Sequence, residues 1–224
     1  MAFDGLLVTE IFYSLQGETS LSGVPFTFIR LTGCNLRCTY CDSAYSFKGG
    51  QKMSFEEVLE RISHYPTQQV LLTGGEPLLQ RGTLPFIKVL KDRGYQVSVE
   101  THGEVPIHGV AGQARIIMDI KTPGSGMCRL GFINNLSHLR TGDEIKFVIT
   151  SEKDYHWAAD WVRANPRKDI EYLFSPALPA QGSPGIFPGV PAKKLADWIL
   201  RDHLPVRFQI QLHKYLWGSD ARGV

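Results

Sequence analysis

The chain has no apolar run long enough to cross a bilayer. A span needs about 20 such residues, and the richest stretch, 23–31, is interrupted by Pro25, Thr27 and Arg30. No membrane partner is therefore expected. The opening MAFDGLLVTEIFYS has acids where a signal peptide needs a basic start, so the protein reads as cytoplasmic. Charge of one sign is also scarce. The 224 residues hold 24 Lys and Arg against 22 Asp and Glu, a net charge of +2. Nucleic-acid binders carry a far stronger basic bias. The densest basic cluster, 163–168, contains Pro166 and reads as a solvated face. Neither GxGxxG nor GxxxxGK followed by Ser or Thr is present, which excludes the common nucleotide loops. No internal repeat and no linker divides the chain. At roughly 150 residues per domain, residues 1–224 are expected to form one domain.

Cysteine is scarce as well, with four in all. Hydrophobic residues make up 43% and charged residues 21%, an ordinary globular composition. A chain of this length needs no disulfide staples. What the cysteines show is placement. Cys34, Cys38 and Cys41 share one short segment, and Cys128 stands apart as an ordinary loop residue. In a cytosolic chain such a cluster points to a metal site.

Strand and helix patterns alternate. Strands are expected at Phe26–Leu31, Gln69–Thr73, Gln96–Glu100, Ile116–Asp119, Ile145–Ile149, Glu171–Ser175 and Arg207–Leu212. Helices are expected at Ser54–His64, Leu84–Arg93, from Ser151 to about Asn165, and near Pro191–Arg201. Ser54 and Glu57 have the spacing of a capping box. A Pro- and Gly-rich loop precedes the last helix. This alternation argues for an α/β fold with a parallel sheet. The segments after Glu100 and Asp119 lack helical stripes, so the reading is a reduced, partly open (β/α) barrel. A doubly wound sheet is the competing architecture.

Polar residues inside these strands mark a site. Arg30, Thr73, Glu100, Asp119 and His213 all fall near the expected C-terminal ends of strands. In a parallel barrel those ends form the active-site rim. The loop after the first strand, GCNLRCTYCDS (33–43), carries three cysteines. Three thiolates can hold three irons of a 4Fe–4S cube, leaving one position open for chemistry. Zinc, with a fourth ligand from Cys128 or a histidine, is an alternative, as are three unrelated buried cysteines. TGGEP (73–77) adds two glycines that let backbone approach a ligand closely.

The Cys-x3-Cys-x2-Cys spacing, with Tyr40 before the last cysteine and TGGEP downstream, resembles the radical S-adenosylmethionine superfamily. YSLQGE (13–18), FIRLTGCNLRC from Phe28, CDSAY from Cys41 and QLHKY (211–215) narrow the resemblance to the 7-carboxy-7-deazaguanine synthase family. The resemblance covers nearly the whole chain. It implies a lyase that converts 6-carboxy-5,6,7,8-tetrahydropterin to 7-carboxy-7-deazaguanine with loss of ammonia, in deazapurine and queuosine biosynthesis. It also implies a 4Fe–4S cluster, S-adenosylmethionine and Mg2+, a homodimer, and an electron donor such as flavodoxin.

Carried over by motif, Cys34, Cys38 and Cys41 would hold the cluster and Ser43 the magnesium, where the family usually has Thr. Leu15, Gln16, Gly17, Arg30, Thr73 and His213 would meet the pterin. Tyr40, Gly75, Glu76, Glu100, Asp119, Ile120, Lys121 and Ser175 would meet S-adenosylmethionine. Two other readings stand beside this one: an activating enzyme for a glycyl-radical partner, and a non-enzymatic metal-binding module. LQGE and the HK pair argue against the first. The polar strand ends are unexplained by the second.

Because three cysteines are the minimum for a cube with one free corner, Cys38→Ala is expected to abolish both the cluster and turnover. Iron and sulfide analysis of the reconstituted variant checks this; a full cluster with activity retained would remove the ligand assignment.

Overall fold

The computed structural model describes residues 5–178 and 189–224. Its elements, in chain order, are β1 (Gly5–Leu15), β2 (Pro25–Leu31), β3 (Gln51–Ser54), α1 (Phe55–Ser63), β4 (Gln69–Gly74), α2 (Thr83–Asp92), β5 (Gln96–Thr101), β6 (Arg115–Asp119), β7 (Glu144–Ile149), α3 (Glu152–Ala164), β8 (Glu171–Pro176), α4 (Ala192–Arg201), β9 (Arg207–Phe208) and α5 (Leu212–Trp217). Residues 179–188 of the expected Pro/Gly-rich loop lie outside the described residues.

The strands form one sheet in the order β3-β1-β2-β4-β5-β6-β7-β8-β9. β1 runs antiparallel to both β2 and β3. From β2 to β9 every neighbour is parallel. The edges β3 and β9 are not joined, so the sheet stays open. The expected reduced barrel is thus the observed one. One face of the sheet packs against α1, α2, α3 and α4 in a single apolar core. Val58 and Ile62 of α1, Phe86 of α2, Ala158 of α3 and Leu195 of α4 are fully buried there. A doubly wound sheet would carry helices on both faces; here the opposite face is left for a cavity.

Local chemistry sets the helix starts. Ser54 Oγ accepts from the Glu57 N–H at 3.2 Å, and Glu57 accepts from the Ser54 N–H at 2.6 Å. This is the expected capping box, a device that contributes about 1 kcal/mol. Ser151 caps α3 through the Asp154 N–H.

Three features differ from the sequence-based expectation. β1 and β3 were not expected; β1 carries an irregularity between Val8 and Glu10 that breaks its alternation. The expected last strand, Arg207–Leu212, ends at Phe208. The Gln209 N–H still donates to the Phe174 carbonyl at 3.0 Å, and beyond it the chain turns away: the Leu212 N–H donates to the Gly17 carbonyl at 2.8 Å, and His213 lies in α5 rather than on a strand face. The loop between β1 and β2 crosses the interior. Ser20 donates to Glu144 Oε1 of β7 through its N–H at 3.1 Å and its hydroxyl at 2.6 Å. Arg115 also pairs with Glu144. The loop therefore bridges the two halves of the open sheet.

Candidate active site

Strand alternation places side chains on the face opposite the helices. Phe28 and Arg30 of β2, Leu71 and Thr73 of β4, Glu100 of β5, Asp119 of β6, and Lys146 and Val148 of β7 all reach one cavity of about 430 Å³. Phe12, Phe26, Phe28, Leu71 and Ile117 form an apolar cluster on this face. Phe12 and Phe28 stack with ring centroids 4.8 Å apart.

The cysteine loop forms one wall. Cys34, Cys38 and Cys41 all line the cavity and pack with Leu36, Tyr40, Val148 and Ala177. Burial pushes all three thiols above their ordinary range. Thiolate ligation there requires a cation to offset that burial. Among the described residues, no three His, Cys, Asp or Glu side chains form a site for a single metal ion. The three cysteines share one pocket wall, and Cys128 is exposed and does not line it. This donor set fits a multi-iron cluster with an open position.

The cysteine loop is latched to the GGEP turn. The Gly75 N–H donates to the Leu31 carbonyl at 3.1 Å and the Glu76 N–H to the Gly33 carbonyl at 2.8 Å. A Cβ at Gly74 would sit 2.1 Å from the Leu31 oxygen, and one at Gly75 would sit 2.1 Å from the Gly33 oxygen. Both glycines are thus required by close packing against the backbone before the first cysteine. The ligand approach expected from sequence is a second use of the same space.

Glu76 does not face the cavity. Its fully buried carboxylate accepts from the Thr101 hydroxyl, the His102 N–H and the Leu78 N–H, each at 2.9–3.0 Å. Burial raises it to about 7 despite these donors. His102 Nδ1 accepts from the Glu104 N–H at 3.0 Å, so Nε2 carries the proton and lies 2.8 Å from Asn35 Oδ1. Burial, then nearby Lys121, lowers His102 to about 4. The pair therefore braces the cysteine loop from behind. Ile120 points into the helix-side core, and the Ser175 hydroxyl donates to the Gln209 carbonyl at 3.3 Å. Neither side chain reaches the cavity; Ala177 and Leu178, just beyond Ser175, do.

The remaining predicted residues converge. Leu15, Gln16, Gly17, Tyr40, Ser43, Gly75, Lys121 and His213 line the same cavity as Arg30, Thr73, Glu100 and Asp119. Gly17 fits tightly: a Cβ there would lie 2.1 Å from His213 Nδ1. Arg30 Nε donates to Glu10 Oε1 at 2.6 Å, and Tyr45 donates to the same oxygen at 2.6 Å.

Sequence reasoning missed the centre of the site. Lys146, 3% exposed, reaches Glu18 at 2.6 Å, Glu100 at 2.5 Å and Asp119 at 3.0 Å. Lys121 holds the other Asp119 oxygen at 3.0 Å. Gln211 donates to Glu18 at 2.9 Å. Burial opposes ionisation of Glu18, yet Lys146 and His213 hold it well below the usual carboxylate range. Lys214 pairs with Asp42 at 2.7 Å and, against burial, keeps that carboxyl low. The available signal was a lysine within the wholly buried run EIKFVI, which a core strand does not tolerate without partners. Residues 219–224 also line the cavity, with Arg222 4.1 Å above the Tyr45 ring.

Lys146→Met would leave Glu18, Glu100 and the buried Asp119 facing one another, with only the Lys121 ammonium on Asp119 to offset them. Such a loss costs about 3–5 kcal/mol. Lys193→Met, which breaks an exposed pair with Asp197, is expected to cost at most about 1 kcal/mol. Denaturant unfolding of the two variants checks the contrast; equal losses would show that Lys146 is not the buried hub.

Comparison with known proteins accords with this geometry. The Radical SAM superfamily model matches residues 28–123. A 7-carboxy-7-deazaguanine synthase from Koribacter versatilis is 44% identical over 97% of this chain and 99% of its own. One from Chlorobaculum tepidum is 40% identical over 98% of this chain and 97% of its own. The crystal structure of QueE from Escherichia coli superimposes with a TM-score of 0.73 at 21% identity, over 93% of this chain and 95% of that one, and so shares the fold. Streptococcus suis SuiB bound to S-adenosylmethionine gives 0.58 at 13% identity over 80% of this chain and 48% of that one. With these relatives matching over nearly its full length, the chain belongs to the 7-carboxy-7-deazaguanine synthase family, radical S-adenosylmethionine enzymes that use a 4Fe–4S cluster.

Proposed function

We propose that the cavity takes S-adenosylmethionine against the cysteine loop and a carboxylated tetrahydropterin beside it. The reaction is conversion of 6-carboxy-5,6,7,8-tetrahydropterin to 7-carboxy-7-deazaguanine with loss of ammonia, in deazapurine and queuosine biosynthesis. The observation that carries this reading is convergence. LQGE, Arg30, the three cysteines and the QLHK segment lie far apart in sequence and line one cavity.

When bound, the cluster supplies the electron for reductive cleavage of S-adenosylmethionine. The protein's part is binding, orientation and exclusion of water. Glu18, Glu100 and Asp119 face only two ammoniums, Lys121 and Lys146. One negative charge is left over, and S-adenosylmethionine carries one net positive charge. Glu100 also accepts from the Thr73 hydroxyl at 3.1 Å, which ties a pterin-side residue to a cofactor-side one. Arg30 would offer a planar guanidinium to the substrate carboxylate or the pterin ring. Leu15, Gln16 and Gly17 would form the floor, and His213 would close it. The apolar wall of Phe12, Phe28 and Leu71 would keep water out.

Ser43 sits in the cavity with its hydroxyl 3.9 Å from Cys41 Sγ. A hard oxygen donor there suits magnesium, which would take the substrate carboxylate if Arg30 takes the ring. Homodimer formation and a flavodoxin-like donor belong to the same reading.

Anaerobic incubation of the reconstituted protein with S-adenosylmethionine, dithionite and the carboxypterin tests the assignment. The deazaguanine acid is the expected product; an intact pterin alongside normal cofactor cleavage would reject the substrate. Arg30→Lys keeps the charge but loses the planar fork. A loss of about 1.5–3 kcal/mol, roughly tenfold to a hundredfold in kcat/KM, is expected, with cofactor cleavage less affected. Steady-state kinetics of the variant measure it. Ser43→Ala should raise the magnesium needed for half-maximal activity without changing iron content, and Ser43→Thr should be tolerated. A magnesium titration showing no change in the alanine variant would remove Ser43 as a ligand.

A further inference from the structure

The irregularity in β1 is a β-bulge with a consequence for the cavity. The strand pairs Val8 with Leu31 and then Glu10 with Arg30, so Thr9 is the extra residue. Before the bulge, Leu6 and Val8 belong to the helix-side core; after it, Phe12 belongs to the cavity-side cluster, and Ile11 packs on the helix side. Without the extra residue, Glu10 would follow Leu6 and Val8 onto the helix face. A carboxylate there would be buried among apolar side chains at high cost. The bulge instead brings Glu10 to the cavity face, directly across from Arg30.

Glu10 holds Arg30 in one particular way. Its Oε1 accepts from the Arg30 Nε at 2.6 Å. The same oxygen accepts from the Tyr45 hydroxyl at 2.6 Å. Among the described residues, no protein acceptor takes the two Nη groups of Arg30, although Arg30 lines the cavity. A guanidinium gripped by its Nε has its plane fixed and its Nη edge left for a ligand. Asp42, the other acid near Arg30, is taken by Lys214 at 2.7 Å.

Tyr45 is itself held. It lies in the short turn Ala44–Phe47 that follows the cysteines. The Gly33 N–H donates to the Ser46 carbonyl at 2.8 Å, and the Ser46 hydroxyl to the Ser43 carbonyl at 2.7 Å, which ties the turn to the cysteine loop. The Arg222 guanidinium lies 4.1 Å above the Tyr45 ring, and that of Arg30 lies 5.9 Å from its centroid. One oxygen of Glu10 thus joins the bulge, the end of β2 and the cysteine loop. Two residues deeper on the cavity face of β2, Phe28 and its neighbour Leu71 offer an apolar wall to a flat ring. Arg30 stands nearer the strand end, where a carboxylate on that ring would reach the fork.

We propose that Glu10 and Tyr45 are positioning residues for the substrate: they fix the Arg30 guanidinium by its Nε so that its two Nη groups present a planar fork to the substrate carboxylate. The proposal rests on the reading of the cavity as a carboxypterin site.

The test is calorimetric titration of the reconstituted protein under anaerobic conditions, with S-adenosylmethionine and Mg2+ present and no reductant, so that nothing turns over. Two ligands are compared: 6-carboxy-5,6,7,8-tetrahydropterin, and 5,6,7,8-tetrahydropterin, which lacks the carboxylate. The wild type should bind the carboxylated ligand more tightly. Tyr45→Phe should weaken that ligand roughly threefold to tenfold, and Glu10→Ala roughly tenfold to a hundredfold. Neither should change the affinity for tetrahydropterin. In an Arg30→Lys background, which lacks the fork, Tyr45→Phe should have no further effect. Tyr45→Phe removes a single oxygen and carries the test if Glu10→Ala fails to fold. Equal weakening of both ligands, or an undiminished effect of Tyr45→Phe in the Arg30→Lys background, would overturn the positioning role. A wild type that binds both ligands equally would overturn it too, because the fork would not meet the carboxylate, and would leave the pterin assignment standing. A wild type that binds S-adenosylmethionine but neither pterin would overturn the pterin assignment and the proposal with it.

Discussion

One buried ammonium organises this molecule. Lys146 rises from the middle of a core strand with carboxylates from three other segments around it. A charge taken out of water must be paired or it is strongly destabilising. That requirement pins the loop carrying Glu18 across the open sheet and fixes Glu100 and Asp119 at the ends of neighbouring strands. The same contact therefore shapes both the floor of the cavity and its charged wall. Glu144, two residues earlier on the same face of β7, repeats the device with Ser20 and Arg115.

The open sheet explains why such a loop is needed. A closed barrel fills its interior with side chains from every strand. Here the edges stay apart, so the β1–β2 loop and the segment after β9 complete the enclosure. They meet where the Leu212 N–H bonds the Gly17 carbonyl and His213 fills the space a side chain at Gly17 would need. Helices α1 to α4, on one face, supply the main apolar core and leave the other face to the cavity. Stability and chemistry are thus assigned to opposite faces of one sheet.

The cysteine loop depends on a second layer of packing. Gly74 and Gly75 let the turn after β4 press on the backbone around Leu31 and Gly33. Glu76 turns its carboxylate away from the cavity to hold residues 101 and 102, and His102 reaches Asn35. A motif that reads as ligand-binding in sequence is here also the clamp that keeps the thiols on one wall.

The parallel alternation, the capping box at Ser54, the cysteine spacing and the polar ends of β2, β4, β5 and β6 were all legible in the sequence. Each is local: alternation, helix capping and metal-ligand spacing involve residues a few positions apart. The partners of Lys146 lie 128, 46 and 27 residues away from it. No local pattern records such a pairing, and only the fold shows which carboxylates surround the lysine. The same is true of the last segment. Gln209–Gln211 alternates like a strand, yet after the Gln209 N–H bonds the Phe174 carbonyl of β8 the ladder stops, and α5 begins at Leu212. Residue types and spacing determined the chemistry this chain can perform. Tertiary structure decided which side chains face the cavity and which are spent on holding it, because strand direction and long-range charge pairing are settled only when the sheet forms.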